Sequence, residues 1–268
     1  MEAEEARTIT GRVFEHVLGL RRSDMVLQRD EEISQEIEGQ LMSYLERLEK
    51  NEPVQYVLQE APFLGRTFFV DTNVLIPRPE TEELVEWMLE STSGQSAGHL
   101  IDLGTGSGCI PISFQLARPE WHVKAIDISV QALEVAARNA SVLNSTVIFE
   151  VDDLLSPNST SNWRAQQYDV IVSNPPYIPL SERETLHERV RDREPSQALF
   201  TPDDDPLLFY RAIKNFAIHL LKPGGSVFLE VHENYAAQTL ALFQHQDFSS
   251  SVLKNDFFGK PRMIRAVR

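Results

Sequence analysis

The tetrapeptide Asn174-Pro175-Pro176-Tyr177 holds the densest chemistry in the chain. Two consecutive prolines lack backbone donors and have fixed φ, so they cannot extend the apolar run Val170-Ile171-Val172-Ser173 as a strand. They leave a stiff corner rich in acceptors. The Asn174 side chain offers an amide oxygen and the Pro175 carbonyl a second acceptor, a pair suited to the two hydrogens of an NH2 group. Tyr177 suits stacking on the planar group that bears the NH2. The nitrogen of an amide or exocyclic amine is a poor nucleophile because its lone pair is delocalised. Two acceptors aimed at its hydrogens would orient it and favour the charge that builds up during attack. The alternative reading is a rigid turn after a core strand.

Upstream, Asp102-Leu103-Gly104-Thr105-Gly106-Ser107-Gly108 separates an apolar strand from a helix. Such a turn lets backbone approach a ligand without side-chain obstruction. A dinucleotide fingerprint places its third glycine where this chain has Cys109, so the spacing fits the G-x-G-x-G turn of methyltransferases better than a nicotinamide enzyme. The next strand ends in Asp127, placed to accept from both hydroxyls of a ribose or, equally, to sit as an acid before the helix that Ser129 caps. The third ends in Asp152-Asp153-Leu154. There an acid would accept from an adenine amino group with Leu154 on the ring, or serve as a plain loop acid. Together the three strand ends predict an adenosyl cofactor, S-adenosylmethionine. Asp102, Gly104, Thr105, Gly106, Ser107, Gly108, Asp127, Asp153, Leu154 and Asn174 are its expected contacts. A sulfonium methyl is already activated, so no metal is expected, and the seven histidines show no paired ligand spacing.

The elements that must position these residues follow from hydrophobic periodicity. From His99 the chain alternates strand and helix. Strands are expected at 99–103, 122–128, 147–151, 168–173 and 226–231, with two short ones near 249–254 and 263–267. Helices are expected at 110–117, after Ser129, through Phe209-Ile213-Phe216-Leu220, and at 235–243. Near-continuous apolar strands predict a parallel sheet covered on both faces. Before it, Ile9-Val13-Val17-Leu20 and Ile33-Ile37-Leu41-Leu45-Leu48 recur at helical spacing. Residues 63–76 alternate as a β-hairpin, and Pro79 opens a helix buried through Leu84, Val85, Met88 and Leu89. The stretch 156–161 reads as a surface loop.

The chain has 268 residues, 40 of them acidic and 25 basic, for a formal net charge of −15. So acidic a surface argues against duplex binding, which draws on Lys and Arg. The lone Cys109 excludes an intrachain disulfide and reads as a small buried hydrophobe. No signal peptide or membrane span is expected, so the Asn-x-Ser/Thr triplets at Asn139, Asn144 and Asn158 carry no expected role.

Across nearly its whole length the sequence resembles the peptide chain release factor N5-glutamine methyltransferases, the PrmC or HemK family. Besides the two turns, the resemblance rests on Glu52-Pro53-Val54-Gln55-Tyr56, Glu194-Pro195 with Ala198-Leu199, and Asp256, Gly259 and Arg262. The run Ile76-Pro77-Arg78-Pro79-Glu80-Thr81-Glu82 is closer to this branch than to the sister branch that methylates glutamine on a ribosomal protein. The resemblance implies an α/β fold of the class I S-adenosylmethionine methyltransferase type. A Rossmann-like seven-stranded sheet would occupy 79–268, a small helical domain 1–60 and a linking hairpin 61–78. It implies methylation of the glutamine amide in the Gly-Gly-Gln tripeptide of class I release factors, in the cytoplasm. Asn174, Pro175, Pro176 and Tyr177 would hold that amide, with Asn174, Pro175 and Tyr177 catalytic. The chain departs from the family in the acidic, glycine-free segment 200–206 and at His232, where a glycine is usual. Rival readings are a DNA adenine-N6 methyltransferase, which would flip its base into the same turn, a glutamine methyltransferase acting on a ribosomal protein, and a non-catalytic adenosyl-binding scaffold.

Overall fold

Along each central strand the apolar side chains alternate between two faces, and this alternation sets the architecture. A computed structural model describes residues 3–28, 30–156, 161–244 and 246–268; most of the stretch 156–161 lies outside them. The strands are β1 (His99–Leu103), β2 (His122–Asp127), β3 (Ile148–Val151), β4 (Tyr168–Ser173), β5 (Leu221–Glu230), β6 (Ser250–Asn255) and β7 (Pro261–Val267). They form one sheet in the order β6-β7-β5-β4-β1-β2-β3. Leu100, Val123, Ala125, Val170, Val172 and Phe228 face helices Pro79–Ser91 and Cys109–Ala117. Their neighbours Ile101, Ile126, Ile171, Val227 and Leu229 face helices Leu208–Leu220 and Ala236–Phe243. Both faces are therefore dry, as near-continuous apolar strands require.

The sheet is mixed rather than parallel. β1 to β5 run parallel, but β7 pairs antiparallel with both β5 and β6. The link from Asn255 to Pro261 is too short for a crossover helix, so the chain must reverse as a hairpin. β5 also begins earlier than expected, at Leu221. A register shift against Tyr168–Val170 absorbs the extra residues. There a Cβ on Gly225 would come within 3.0–3.1 Å of the carbonyls of Lys222, Asp169 and Tyr168.

At the amino end lie helices Ala3–Leu18, Arg22–Leu27, Gln35–Glu49 and Val54–Leu58. Ile9, Val13, Val54, Val57 and Leu58 form their core, with Val17, Leu41, Tyr44 and Leu48 packed against it. Leu45 and Ile33, expected inside, are 46% and 45% exposed. The inward positions 41, 44 and 48 step around the helix so that 45 falls off the buried stripe, and Ile33 precedes the cap at Ser34. Arg47 fastens this unit by donating to the carbonyls of Tyr56 (2.9 Å) and Val57 (3.0 Å) while paired with Glu52.

The hairpin is shorter than predicted, pairing Glu60–Phe63 with Arg66–Phe69. Its two-residue turn, Leu64 (φ 47°) and Gly65 (φ 72°), has the doubly positive φ that matches strand twist. The apolar residues Val70, Val74 and Ile76 continue the alternation but pack on Tyr56, Ala132 and Val135 instead of pairing. Among the described residues no helix is long and apolar enough to cross a membrane.

Candidate active site

β1, β2 and β4 all end at one edge of the sheet, and a cavity of about 560 Å³ opens there. Gly104, Thr105, Gly106, Ser107, Asp127, Asp153, Leu154, Asn174, Pro175 and Pro176 line it, and Asp152 joins them. That volume suits a ligand of nucleoside size.

The glycine turn owes its shape to backbone. Gly104, Gly106 and Gly108 have φ of +80°, +55° and +79°, values that L side chains rarely adopt. The N–H groups of Gly104 and Thr105 donate to the Ile126 carbonyl (2.9 and 3.0 Å), and that of Gly106 to Asp127 Oδ2 (2.8 Å). The turn is thus tied to the end of β2. Asp127 Oδ1 accepts from the Ser129 N–H (2.9 Å), and Ser129 Oγ caps the helix Val130–Leu143 by accepting from Ala132 (3.1 Å). Burial raises the Asp127 pKa, against these backbone donors, which lower it.

Asp102 and Gly108 do not line the cavity. Asp102 is fully buried behind the turn, and burial pushes its carboxyl up to about 7. Gly108 supports the turn from below: a Cβ there would lie 2.9 Å from Ile112 Cδ1 and 3.1 Å from Ala136 Cβ. Asn139, one of the triplet asparagines, is buried. It donates to the Ser107 carbonyl (2.9 Å) and exchanges two hydrogen bonds with the Phe69 backbone (2.7 and 3.0 Å), joining hairpin to turn. Only its place beside the apolar stripe of its helix hints at this in the sequence. Cys109 is buried, its thiol pushed up to about 12 by burial, and so is no nucleophile.

The cavity fits an adenosyl sulfonium. The Thr105 hydroxyl lies on the lining beside the buried Asp102 carboxyl, whose pKa it lowers, and so links that carboxyl to the cavity. Asp127, Asp152 and Asp153 outnumber the lining cation, Arg78, which is paired with Glu194 (2.5 Å). This excess of acid favours cationic groups. Among the described residues no cluster of side chains could hold a metal ion.

On the other side of the cavity, Ser173 Oγ donates to the Leu103 carbonyl (2.6 Å), tying the diproline corner to the end of β1. Asn174 Nδ2 donates to Thr81 Oγ1 (3.2 Å), and Thr81 Oγ1 donates to Glu230 Oε2 (2.6 Å). Tyr177 is not on the lining. Its hydroxyl donates to Glu230 Oε1 (3.0 Å), and its ring meets that of His232 edge-on at 5.9 Å. Glu230 is wholly buried; burial raises its pKa while the Thr81 and Tyr177 hydroxyls lower it. Thr81 and Glu230 have no role in the sequence-based site, because they lie 149 positions apart. Glu194, also buried, accepts from the Ile76 N–H (3.2 Å) and Arg78, holding 76–78 against the cavity.

The departures from the family pattern fall outside the cofactor turn and the diproline corner. His232 Nε2 meets Glu182 Oε2 at 3.1 Å. Asp203 and Asp204 are exposed, yet Asp203 accepts from the Ser181 N–H (2.7 Å) and the half-buried Asp205 pairs with Arg211, so the loop is fastened at both ends.

Comparison with known proteins agrees with this geometry. Residues 1–58 match the PrmC N-terminal domain and residues 80–191 the methyltransferase small domain. The release factor glutamine methyltransferase of Bacteroides thetaiotaomicron is 38% identical, over 99% of this chain and 94% of its own. That of Flavobacterium psychrophilum is 39% identical, over 92% of this chain and 86% of its own. In fold, the chain is similar to a methyltransferase from Pyrococcus furiosus, with a TM-score of 0.55 and 15% identity over 84% of this chain and 98% of that one. Glycine turn, diproline corner and amino-terminal helices therefore occur together for one reason: the chain belongs to the release factor glutamine methyltransferase family, enzymes that use S-adenosylmethionine.

Proposed function

We propose that the protein methylates the side-chain amide nitrogen of the glutamine in the Gly-Gly-Gln tripeptide of class I peptide chain release factors. In this reading residues 1–60 form a helical domain, 61–78 a link and 79–268 the methyltransferase domain, and the enzyme works in the cytoplasm. One observation carries it. The Asn174-Pro175-Pro176 corner shares a single cavity with the glycine turn and Asp127. Two acceptors for an NH2 therefore stand beside a pocket suited to an adenosyl sulfonium.

S-adenosylmethionine, when bound, supplies a methyl group on a positively charged sulfur. The chain does the rest by placement. Asp127 holds the ribose, while Asp153 and Leu154 hold the adenine. Asn174 Oδ1 and the Pro175 carbonyl accept the two amide hydrogens, which fixes the nitrogen in line for attack and stabilises its growing positive charge. Tyr177, off the lining, braces Glu230 through its hydroxyl. The methylated nitrogen sheds its extra proton readily, so no strong base is needed. The acidic surface disfavours DNA, and the corner is of no use to a mere scaffold.

The test incubates the protein with isotopically labelled S-adenosylmethionine and, separately, a class I release factor, a ribosomal protein fraction and duplex DNA. Peptide mass spectrometry should find one methyl on the glutamine of the tripeptide. Label in DNA or the ribosomal fraction, with none on the release factor, would overturn the proposal.

A further inference from the structure

An asparagine amide is ambiguous. One edge donates, the other accepts, and a half-turn about the last side-chain bond swaps them. The proposed reaction needs the accepting edge toward the cavity. With the NH2 there instead, donor would face donor and the substrate amide would be repelled. Something must therefore fix which edge of Asn174 points inward.

We propose that Thr81, with Glu230 behind it, is a positioning residue that locks the Asn174 carboxamide with its oxygen toward the cavity, so that the site takes a carboxamide and rejects a carboxylate. This rests on the function proposed above. A hydroxyl has one hydrogen. In Thr81 that hydrogen is spent on Glu230 Oε2 at 2.6 Å, so only lone pairs remain for the asparagine 3.2 Å away. Only the NH2 edge of Asn174 can be satisfied against them. Reversing it would set two oxygens face to face with no hydrogen between.

Glu230 is the anchor. Its two oxygens accept from Thr81 and Tyr177, the only hydrogen bonds to its side chain among the described residues. The relay is buried: Thr81 is 3% exposed and Glu230 1%. Thr81 borders the cavity but is nearly closed off from solvent, and a hydrogen bond in such surroundings is costly to leave unmade. Its hydroxyl hydrogen is directed away to Glu230, so the relay sets the polarity of the site through Asn174.

The same polarity sets specificity. Two inward oxygens suit the two hydrogens of a glutamine amide. A glutamate at that place would bring its own charged oxygens against them. A site built on hydrogen bonds rejects such an isostere far more strongly than a shape-based pocket does.

Three variants of the full-length protein test this. Thr81→Val keeps the branched shape and removes the hydroxyl. Thr81→Ser keeps the hydroxyl and removes a methyl. Asn174→Ala removes the oriented group. With a release factor as substrate, Thr81→Val should lower kcat by about 10- to 100-fold, with S-adenosylmethionine affinity within twofold of wild type. Thr81→Ser should recover activity to within about threefold.

A second readout separates orientation from general damage. A release factor with glutamate in place of the target glutamine is used as a competitor. Wild type should prefer the glutamine form by at least about tenfold. Thr81→Val, free to turn its asparagine either way, should lose most of that preference. Thr81→Val transferring within twofold of wild type with preference intact would overturn the relay.

A third readout needs no substrate. The Asn174 side-chain NH2, assigned by nuclear magnetic resonance of the 15N-asparagine-labelled protein against Asn174→Ala, should exchange slowly in wild type and fast in Thr81→Val. Fast exchange in wild type would sink the relay whatever the enzyme methylates. Should wild type methylate no release factor, the proposed function fails while this measurement still decides the relay.

Discussion

The two halves of the cavity are held by different means. The donor half, built at the ends of β1, β2 and β3, is shaped chiefly by backbone: three positive-φ glycines, N–H groups pinned to Ile126 and Asp127, and a helix cap at Ser129. The acceptor half, at the end of β4, depends on side chains drawn from distant parts of the chain: Thr81, Asn174, Tyr177 and Glu230. The difference follows from the ligands. A nucleoside-sized cofactor offers a large surface, and a preformed backbone cradle can bind it through many modest contacts. A single NH2 offers two hydrogens, and only directed acceptors can fix it.

This contrast makes predictions that either break it or sharpen it. The largest effect is expected in the acceptor half. Asn174→Ala should lower methyl transfer by about 10²- to 10³-fold, while calorimetry finds S-adenosylmethionine binding within twofold of wild type. A near-normal rate would mean that side-chain acceptors do not govern this half. The backbone claim is tested next by Gly108→Ala. The added methyl meets Ile112 and Ala136 in a left-handed conformation, at a cost of about 2–3 kcal/mol. Thermal denaturation should show the loss, and cofactor affinity should fall with it. An unchanged melting curve with unchanged binding would show that the turn does not need its glycines.

A side-chain deletion in the donor half should do less. Asp127→Ala should weaken S-adenosylmethionine binding by about 10- to 30-fold and leave kcat at saturating cofactor within about threefold. A collapse of kcat instead would erase the distinction between the halves. The smallest effect concerns Asp102. Its carboxyl titrates near 7 in the free protein, and a cation bound in the cavity favours the ionised form. Binding should therefore lower that pKa and release a proton, so affinity rises with pH. Between pH 6 and 8 the gain is limited to about tenfold. Asp102→Asn should flatten the profile in titrations across that range.

The same contrast explains what could be read from the sequence. The glycine turn, the Ser129 cap and the acids at three strand ends are local features, each set by residues within a few positions of one another. The acceptor corner is half local: Pro175 and Pro176 announce a stiff turn, but nothing near them names Thr81 or Glu230. Asn139 went unread for the same reason, since its partners Phe69 and Ser107 are 70 and 32 positions away. Other differences come from geometry that residue types do not encode. Leu45 has the right type for a core, but its angle on the helix turns it outward. Residues 70–76 alternate like a strand but find cavity and core instead of a partner strand. The expectation of a parallel sheet missed that a short link can only return antiparallel.

Ser173 joins the two halves through one hydrogen bond to Leu103, because β4 and β1 are neighbours in the sheet. Adjacent strands stand about 4.8 Å apart whatever their sequence. The spacing between the glycine turn and the diproline corner is thus set by the pitch of the sheet rather than by loops. The exposed turn 183–185 is then free to be rebuilt or lengthened without touching either strand end, whereas Glu194 and the lining residues Pro195, Gln197, Ala198 and Phe200 are not. A designer wishing to redirect this scaffold to a new amide would start at that exposed turn and leave the two strand ends alone.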